Sequence, residues 1–310
     1  MLKRFAFIAA LVGITCCGST GGDAPDPNKP STDPTPNPDP VPTATVGDVS
    51  LDVMTFNIRY DNTGDGQNIW QNRRDRAANA IKFYDPDVFG TQETLHNQLE
   101  DLKSRLPQYA VIGVGREDGK EAGEYSPVWY KKDRFTLQSS GYFWLSETPN
   151  VPSKGWDGAC ERIATWAILQ DKYTNNAIFF INTHLDHQGV TARREGVNLL
   201  FQKINEYSLG LPVICTGDFN SSPDSDVIAH ITDTTSDNHL TDSRKVSPVV
   251  YGPSWSWHDF GALSYSQRPL LDYVFIRGGL DVNRYGVCAE DENGQYLSDH
   301  APVVVNVSYK

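Results

Sequence analysis

Short apolar runs rich in β-branched and aromatic residues recur along the chain beyond residue 50. "LDVMTFN", "DVFGTQE", "YAVIGVG", "SPVWYKK", "TWAILQD", "AIFFINTHL", "LPVICTGDFN", "LDYVFIR" and "APVVVNV" each have the length and composition of a strand. Between them the period changes. Leu95, Leu99, Leu102 and Leu106 fall on one helical face, as do Val197, Leu200, Ile204 and Tyr207. Ala77, Ile81 and Tyr84 predict a third helix, stopped by Pro86. Many strands, few helices and no internal repeat predict sheets with helices packed outside them.

The polar residues capable of chemistry follow those runs directly: Asn57 after "LDVMTF", Glu93 after "DVFGTQ", His184 after "AIFFINT", Asp218 after "LPVICTG". Strand ends gathered at one rim of a sheet assemble a site from residues far apart in sequence. In "GDFN", Asp218 and Asn220 form a tight turn after a buried strand, and their i, i+2 spacing lets both side chains face one cavity.

The first 47 residues follow neither pattern. Lys3 and Arg4 precede an apolar run from Phe5 to Ile14, then small residues, Cys16 and Cys17. Such a run is too short to span a bilayer and reads as a secretory signal, residues 1–17. From Gly18 to Gly47 eight prolines fall between Pro25 and Pro42 among small polar residues, the composition of an extended tether. Residues 48–310 are then expected to form one domain, and a chain of 310 residues that is 39% hydrophobic overall can bury a substantial core.

The net charge of −12 lies almost wholly beyond the tether and repels polyanions at long range, which disfavours a binder of long nucleic acids. Three cysteines remain there, Cys160, Cys215 and Cys288, so at most one disulfide can form. Cys215 belongs to a strand-like run and is expected to be buried and inert; a Cys160–Cys288 bridge is one arrangement.

The stretches "MTFNIRY", "PDVFGTQET", "INTHLDH", "TGDFN", "LLDYVF" and "LSDHAPV", in this order over residues 51–305, resemble the endonuclease/exonuclease/phosphatase superfamily of metal-dependent phosphoesterases. The resemblance implies an α/β fold, a four-layered sandwich of two mostly antiparallel sheets face to face with helices on both outer sides. It also implies Mg²⁺, with Mn²⁺ plausible, held by Glu93 with Asn57 beside it and Asp299 contributing directly or through water. Hydrolysis of a phosphoester needs such a cation, a group that orients or deprotonates water, and donors for the phosphoryl oxygens. By resemblance Asp218 serves the water and Asn220 holds the phosphate or the Asp218 carboxylate. His184 donates to a phosphoryl oxygen, and Asp272 fixes the His300 imidazole.

Tyr125 and Arg162 match positions of phosphate donors or site-shaping residues. Asp186, His187 and Arg193 extend the motif towards the cleft, and Arg73 either pairs with an acid near the metal or belongs to a charged helix face. The aromatic stretch "YGPSWSWHDFG" lies where the family often reads its substrate. The segment before Cys17 (or Cys16) resembles a lipobox, implying an exported lipoprotein, periplasmic or at the cell surface, that meets the membrane through its lipid alone. A monomer acting on small organic phosphates is expected. A secreted nuclease, a sphingomyelinase-type phosphodiesterase and a ligand-binding lipoprotein on an inactive scaffold are the alternatives.

Overall fold

Alternation sends Leu51 and Val53 to one face of the first strand and Met54 and Phe56 to the other, and all four are buried. A strand apolar on both faces belongs inside a sheet that is covered twice. In the computed structural model, which describes residues 50–292 and 294–310, this strand is the middle of a seven-stranded sheet. The proposed signal and tether lie outside the described residues.

The order in that sheet is β10 (Val250–Tyr251), β12 (Leu280–Val287), β15 (Val303–Tyr309), β1 (Ser50–Asn57), β2 (Val88–Gln92), β4 (Val128–Lys131) and β3 (Tyr109–Ile112). The second sheet runs β5 (Phe135–Trp144), β6 (Ile163–Asp171), β7 (Ala177–His184), β8 (Val213–Asp218), β11 (Asp272–Arg277) and β9 (Thr241–Asp242). A small hairpin, β13 (Asp291–Glu292) and β14 (Gln295–Tyr296), stands apart. Both sheets are mixed: β1 with β2, β10 with β12 and β7 with β8 run parallel, and the other pairs run antiparallel.

Leu51, Val53 and Val305 of the first sheet meet Leu169, Phe180 and Val274 of the second in the central core. Helices α1 (Trp70–Tyr84) and α2 (His96–Arg105) cover the outer face of the first sheet through Ile81, Leu99 and Leu102. Helix α3 (Val190–Tyr207) covers the second through Val197, Leu200 and Ile204, and α4 (Asp226–Ile231) through Val227 and Ile228; a short α5 (Ser243–Val246) follows β9. Helix α1 ends where the sequence predicts, with Asp85 in the left-handed region at φ 44° before Pro86. The four expected layers are present.

Near one rim the apolar core gives way to a polar cluster between the sheets. The Asn182 amide donates to the carbonyls of Thr91 (2.8 Å) and Pro127 (3.0 Å) of the facing sheet. Its Oδ1 accepts from Gln92 Nε2 at 2.7 Å and Thr216 Oγ1 at 3.0 Å. A Cβ on Gly90 would lie 2.2 Å from that amide, so only glycine fits opposite it.

The three cysteines of the described residues are free, so the Cys160–Cys288 bridge is not formed. Cys160 lies beside the Asp186 carboxylate, whereas buried Cys288 lines a groove on the outer face of the first sheet, by Tyr84 and Glu290.

Candidate active site

Each sheet brings half of the expected residues to the rim beyond the Asn182 cluster. Asn57 ends β1, Glu93 follows β2, and Asp299 and His300 precede β15; His184 ends β7, Asp218 ends β8 and Asp272 opens β11. The parallel register of β7 and β8 sets His184 opposite Asp218, and the antiparallel register of β8 and β11 sets Asp218 opposite Asp272. Arg59, Glu93 and Asn220 occupy the left-handed region at φ 57°, 57° and 45°. Non-glycine residues adopt that conformation only when held there, at a cost of about 1–3 kcal/mol each. Here it turns the chain sharply at three strand ends and keeps the side chains at the same rim.

Asn57 joins the halves. Its amide nitrogen donates to Glu93 Oε1 at 3.0 Å and to Asp218 Oδ2 at 2.9 Å, while its Oδ1 accepts from the Arg59 N–H at 3.0 Å. Glu93 Oε2 accepts from the Tyr60 N–H at 3.1 Å. The Arg59 guanidinium, paired with Asp65 at 3.0 Å, lies 3.9 Å from both Glu93 and Asp299.

Asp218 sits between two imidazoles, its Oδ2 3.6 Å from His184 Nε2 and 3.7 Å from His300 Nε2. Its other oxygen accepts from the Asn220 N–H at 2.9 Å. Burial, reinforced by the nearby Asp272 charge, pushes the Asp218 carboxyl above the usual carboxylate range. Burial and the Glu93 charge do the same for Asp299.

His300 Nδ1 donates to Asp272 Oδ2 at 2.7 Å, and the Ser256 hydroxyl donates to the same oxygen at 2.6 Å. Burial alone would lower the His300 pKa, but the Asp272 carboxylate outweighs it and raises it to about 10. His184 behaves oppositely. Burial, with the Arg162 and Arg116 charges behind it, holds it well below its ordinary value and so neutral. The Asn220 amide, which also donates to the Leu185 carbonyl at 2.9 Å, faces His184 Nε2 at 3.0 Å, so Nε2 is the acceptor and the proton resides on Nδ1.

That Nδ1 is buried without a hydrogen-bond partner, and the nearest acid, Glu124, is 3.8 Å away. Glu124 is itself gripped by both terminal nitrogens of Arg116 at 2.7 and 2.8 Å. No local sequence pattern marks this pair, because an acid before a strand acquires meaning only when the facing sheet places a histidine against it.

The remaining expectations divide. Arg162 and Asp186 lie together behind His184: Arg162 Nε is 3.5 Å from Asp186, its NH2 group donates to His187 Nδ1 at 2.9 Å, and its NH1 is buried and unpartnered. Asp186 accepts from the N–H groups of Ala159 (3.0 Å), Gln188 (2.9 Å) and Gly189 (2.7 Å), so it braces the loop before α3. Burial would raise its carboxyl, but the Gly189 and Gln188 amides and Arg162 outweigh that and hold it at about 2. Arg193 donates to the Asp186 carbonyl at 2.9 Å. The Tyr125 hydroxyl donates to the Lys120 carbonyl at 2.9 Å and lies 3.1 Å from His96 Nδ1.

Arg73 forms no direct ion pair among the described residues, although the charges of Asp299, Asp65 and Glu93 act on it. It is fully buried and donates to the carbonyls of Asn68 (2.8 Å), Arg59 (2.7 Å), Leu297 (3.3 Å) and Ile58, clamping the chain that follows β1 to the chain that precedes Asp299. In the aromatic stretch, Trp255 and His258 are buried, and half-buried Trp257 pairs by its backbone with His300.

A divalent ion suits this donor set. Glu93, Asp218 and Asp299 offer carboxylate oxygens, the ligands that magnesium prefers, with Asn57 beside them. Two of these carboxyls, Asp218 and Asp299, are buried and pushed up, which marks a place short of positive charge. Ligand atoms of Glu93, His184 and Asp218 lie within 4.8 Å of one another.

A model of the Endonuclease/Exonuclease/phosphatase family matches residues 54–300. Among solved structures, an endonuclease/exonuclease/phosphatase from Bacteroides vulgatus is 41% identical with a TM-score of 0.82, covering 84% of this chain and 100% of its own. The mannosyl-6-phosphatase of Bacteroides thetaiotaomicron is 36% identical with a TM-score of 0.78, at the same coverage. A protein of Acanthamoeba polyphaga mimivirus is 28% identical over 258 residues, 76% of this chain and 91% of the viral one. The match over most of the chain, on a fold whose two sheets meet at this carboxylate and imidazole cluster, places the protein in the endonuclease/exonuclease/phosphatase family, as a phosphoesterase hydrolase.

Proposed function

We propose that the protein is an exported, Mg²⁺-dependent phosphatase of small organic phosphates, sugar phosphomonoesters foremost. The observation that carries the chemistry is the Asp218 carboxylate, buried between two imidazoles and tied through Asn57 to Glu93. Asp218 takes a proton from the attacking water, a role that its raised basicity suits. His300, held by Asp272 and charged, donates to a phosphoryl oxygen from Nε2. Across Asp218 from His300, His184 Nδ1 and Arg162 NH1 are further buried donors with unfilled capacity. Glu93, Asn57 and Asp299 would hold the metal, which supplies charge neutralisation at the phosphoryl group.

Two facts favour a small substrate: the net charge of −12 disfavours polyanions, and the relative named for mannosyl-6-phosphate hydrolysis is 36% identical. Export and lipid attachment at Cys17 (or Cys16) rest on the N-terminal pattern alone. The purified protein is assayed on an aryl phosphomonoester, mannose 6-phosphate, a bis-aryl phosphodiester, plasmid DNA and sphingomyelin, with Asp218→Ala as the blank. Monoester turnover that chelation abolishes and Mg²⁺ or Mn²⁺ restores is expected. Chelator-resistant activity, or activity equal in the variant, would sink the mechanism; cleavage of plasmid or sphingomyelin alone would replace the substrate class.

A further inference from the structure

A groove of about 510 Å³ opens on the outer face of the first sheet, over β12, β15 and β1, beside the end of α1. It is remote from the carboxylate cluster. Asp52, at its floor, is five residues along β1 from Asn57, roughly 17 Å away at ordinary strand rise. Gly286 leaves the floor low, because a side chain there would rise from the sheet between Val304 and the Tyr251 carbonyl.

Two aromatic rings stand on opposite rims. Phe83, at the end of α1, is 79% exposed, and Tyr251, on the edge strand β10, is 81% exposed. Tyr84 stands edge-on to Phe83, ring centroids 5.2 Å apart, and its hydroxyl donates to the Glu290 carboxylate. A fold that buries most of its large apolar side chains gains nothing in stability from rings left in water, so two such rings lining one groove point to a ligand.

The polar groups select its chemistry. Asp52 Oδ1 accepts from Arg284 at 3.1 Å and from the Asn306 amide at 2.8 Å. The acid and the guanidinium neutralise each other, so the floor calls for no charged ligand. Arg284 remains two-thirds exposed with donors to spare, and the second Asp52 oxygen and Glu290 offer acceptors beside them. Alternating donors and acceptors between aromatic walls suit a neutral ring that carries C–H bonds on its faces and hydroxyls on its edge. The C–H faces of such a ring would lie against the electron-rich faces of the aromatic side chains, and vicinal hydroxyls would bridge the Asp52 and Arg284 pair. We infer that this groove is a non-catalytic binding site for the unphosphorylated portion of an oligosaccharide. The inference stands on the groove's own geometry, and it gives the proposed sugar phosphatase a second hold on a longer substrate.

The test uses the full chain and phosphate-free mannose oligosaccharides, followed by calorimetry and by saturation transfer from protein to ligand. Wild type is expected to bind with transfer to the ring C–H protons. Phe83→Ala and Tyr251→Ala, both at exposed rings, are each expected to weaken binding tenfold or more, and Tyr251→Phe to retain it. Turnover of an aryl phosphomonoester should be unchanged in all three, which separates failure of the groove from failure of the catalytic reading. On a phosphorylated oligosaccharide the alanine variants should raise KM with kcat unchanged. No uptake of any oligosaccharide by wild type, or binding that survives both alanine substitutions, overturns the inference. So does capture of a proline-rich peptide or phospholipid vesicles in place of the sugar.

Discussion

Arg73→Met removes the buried clamp beneath the candidate site and keeps most of the side chain's volume. Four carbonyls within 3.3 Å, of Ile58, Arg59, Asn68 and Leu297, lose a charged donor, and that of Tyr60 at 3.5 Å loses a weaker one. Hydrogen bonds to a charged group are worth about 1.5 kcal/mol each at the low end, so the gross contribution is ~6 kcal/mol. Burial offsets part of it: desolvation lowers the guanidinium pKa to about 10, a cost of ~3 kcal/mol relative to its ordinary value. The variant should therefore lose ~3 kcal/mol, and more if the abandoned carbonyls find no water. In a protein of this size that is a melting-temperature drop of roughly 6–12 °C.

Urea unfolding followed by tryptophan fluorescence measures the loss directly, and Arg73→Lys supplies a control, since an ammonium cannot span carbonyls that a planar fork reaches together. The clamp also holds the Ile58–Tyr60 turn that presents Asn57 and Arg59, so phosphoesterase activity at 25 °C should fall with stability. A loss below ~1 kcal/mol, or a lysine variant as stable as wild type, would refute the clamp.

Three further outcomes are expected. Asp272→Asn keeps the shape but removes the charge that holds His300 protonated; kcat should fall by about 10²-fold or more with a smaller change in KM, measured on an aryl phosphomonoester with circular dichroism to confirm the fold. Asp186, held at about 2, contributes ~2 kcal/mol of stability that is present above pH 4 and is lost as pH falls through 2. Asp186→Asn should therefore flatten the acid limb of the stability curve between pH 4 and 2, which unfolding midpoints across that range would show. In a bacterial host, Cys17→Ser should abolish incorporation of labelled palmitate; label retained in that variant and lost in Cys16→Ser would move the attachment to Cys16.

Much of this architecture is legible in the sequence because the strands that carry the site are buried on both faces. Runs such as "AIFFINTHL" and "LPVICTGDFN" are unbroken apolar stretches that end in a polar residue, and they form β7 and β8. β5 and β12 escaped the same reading for a physical reason. β5 is an edge strand with exposed Gln138 and half-buried Ser139 and Ser140 at its centre, and β12 carries a register shift between Val282 and Arg284 that breaks its alternation. The carboxylates and histidines of the rim were nameable from motifs in order along the chain. Glu124, Arg116 and the Arg73 clamp were not, because each is defined by a contact across sheets or between distant loops rather than by local spacing.

The Asn182 cluster opposite Gly90 gives the enzyme a weakness of alignment. Asn57, Glu93 and Asp299 ride on one sheet, and His184, Asp218 and Asp272 on the other. A catalyst split across two leaves keeps its geometry only while the leaves cannot slide. The amide of Asn182, bonded to Thr91 and Pro127 of the opposite leaf, is the pin that stops them. Slippage of an ångström would leave the core apolar and the strands paired, yet part Asn57 from Asp218. Inactivation by mild denaturant should therefore run ahead of any loss of secondary structure.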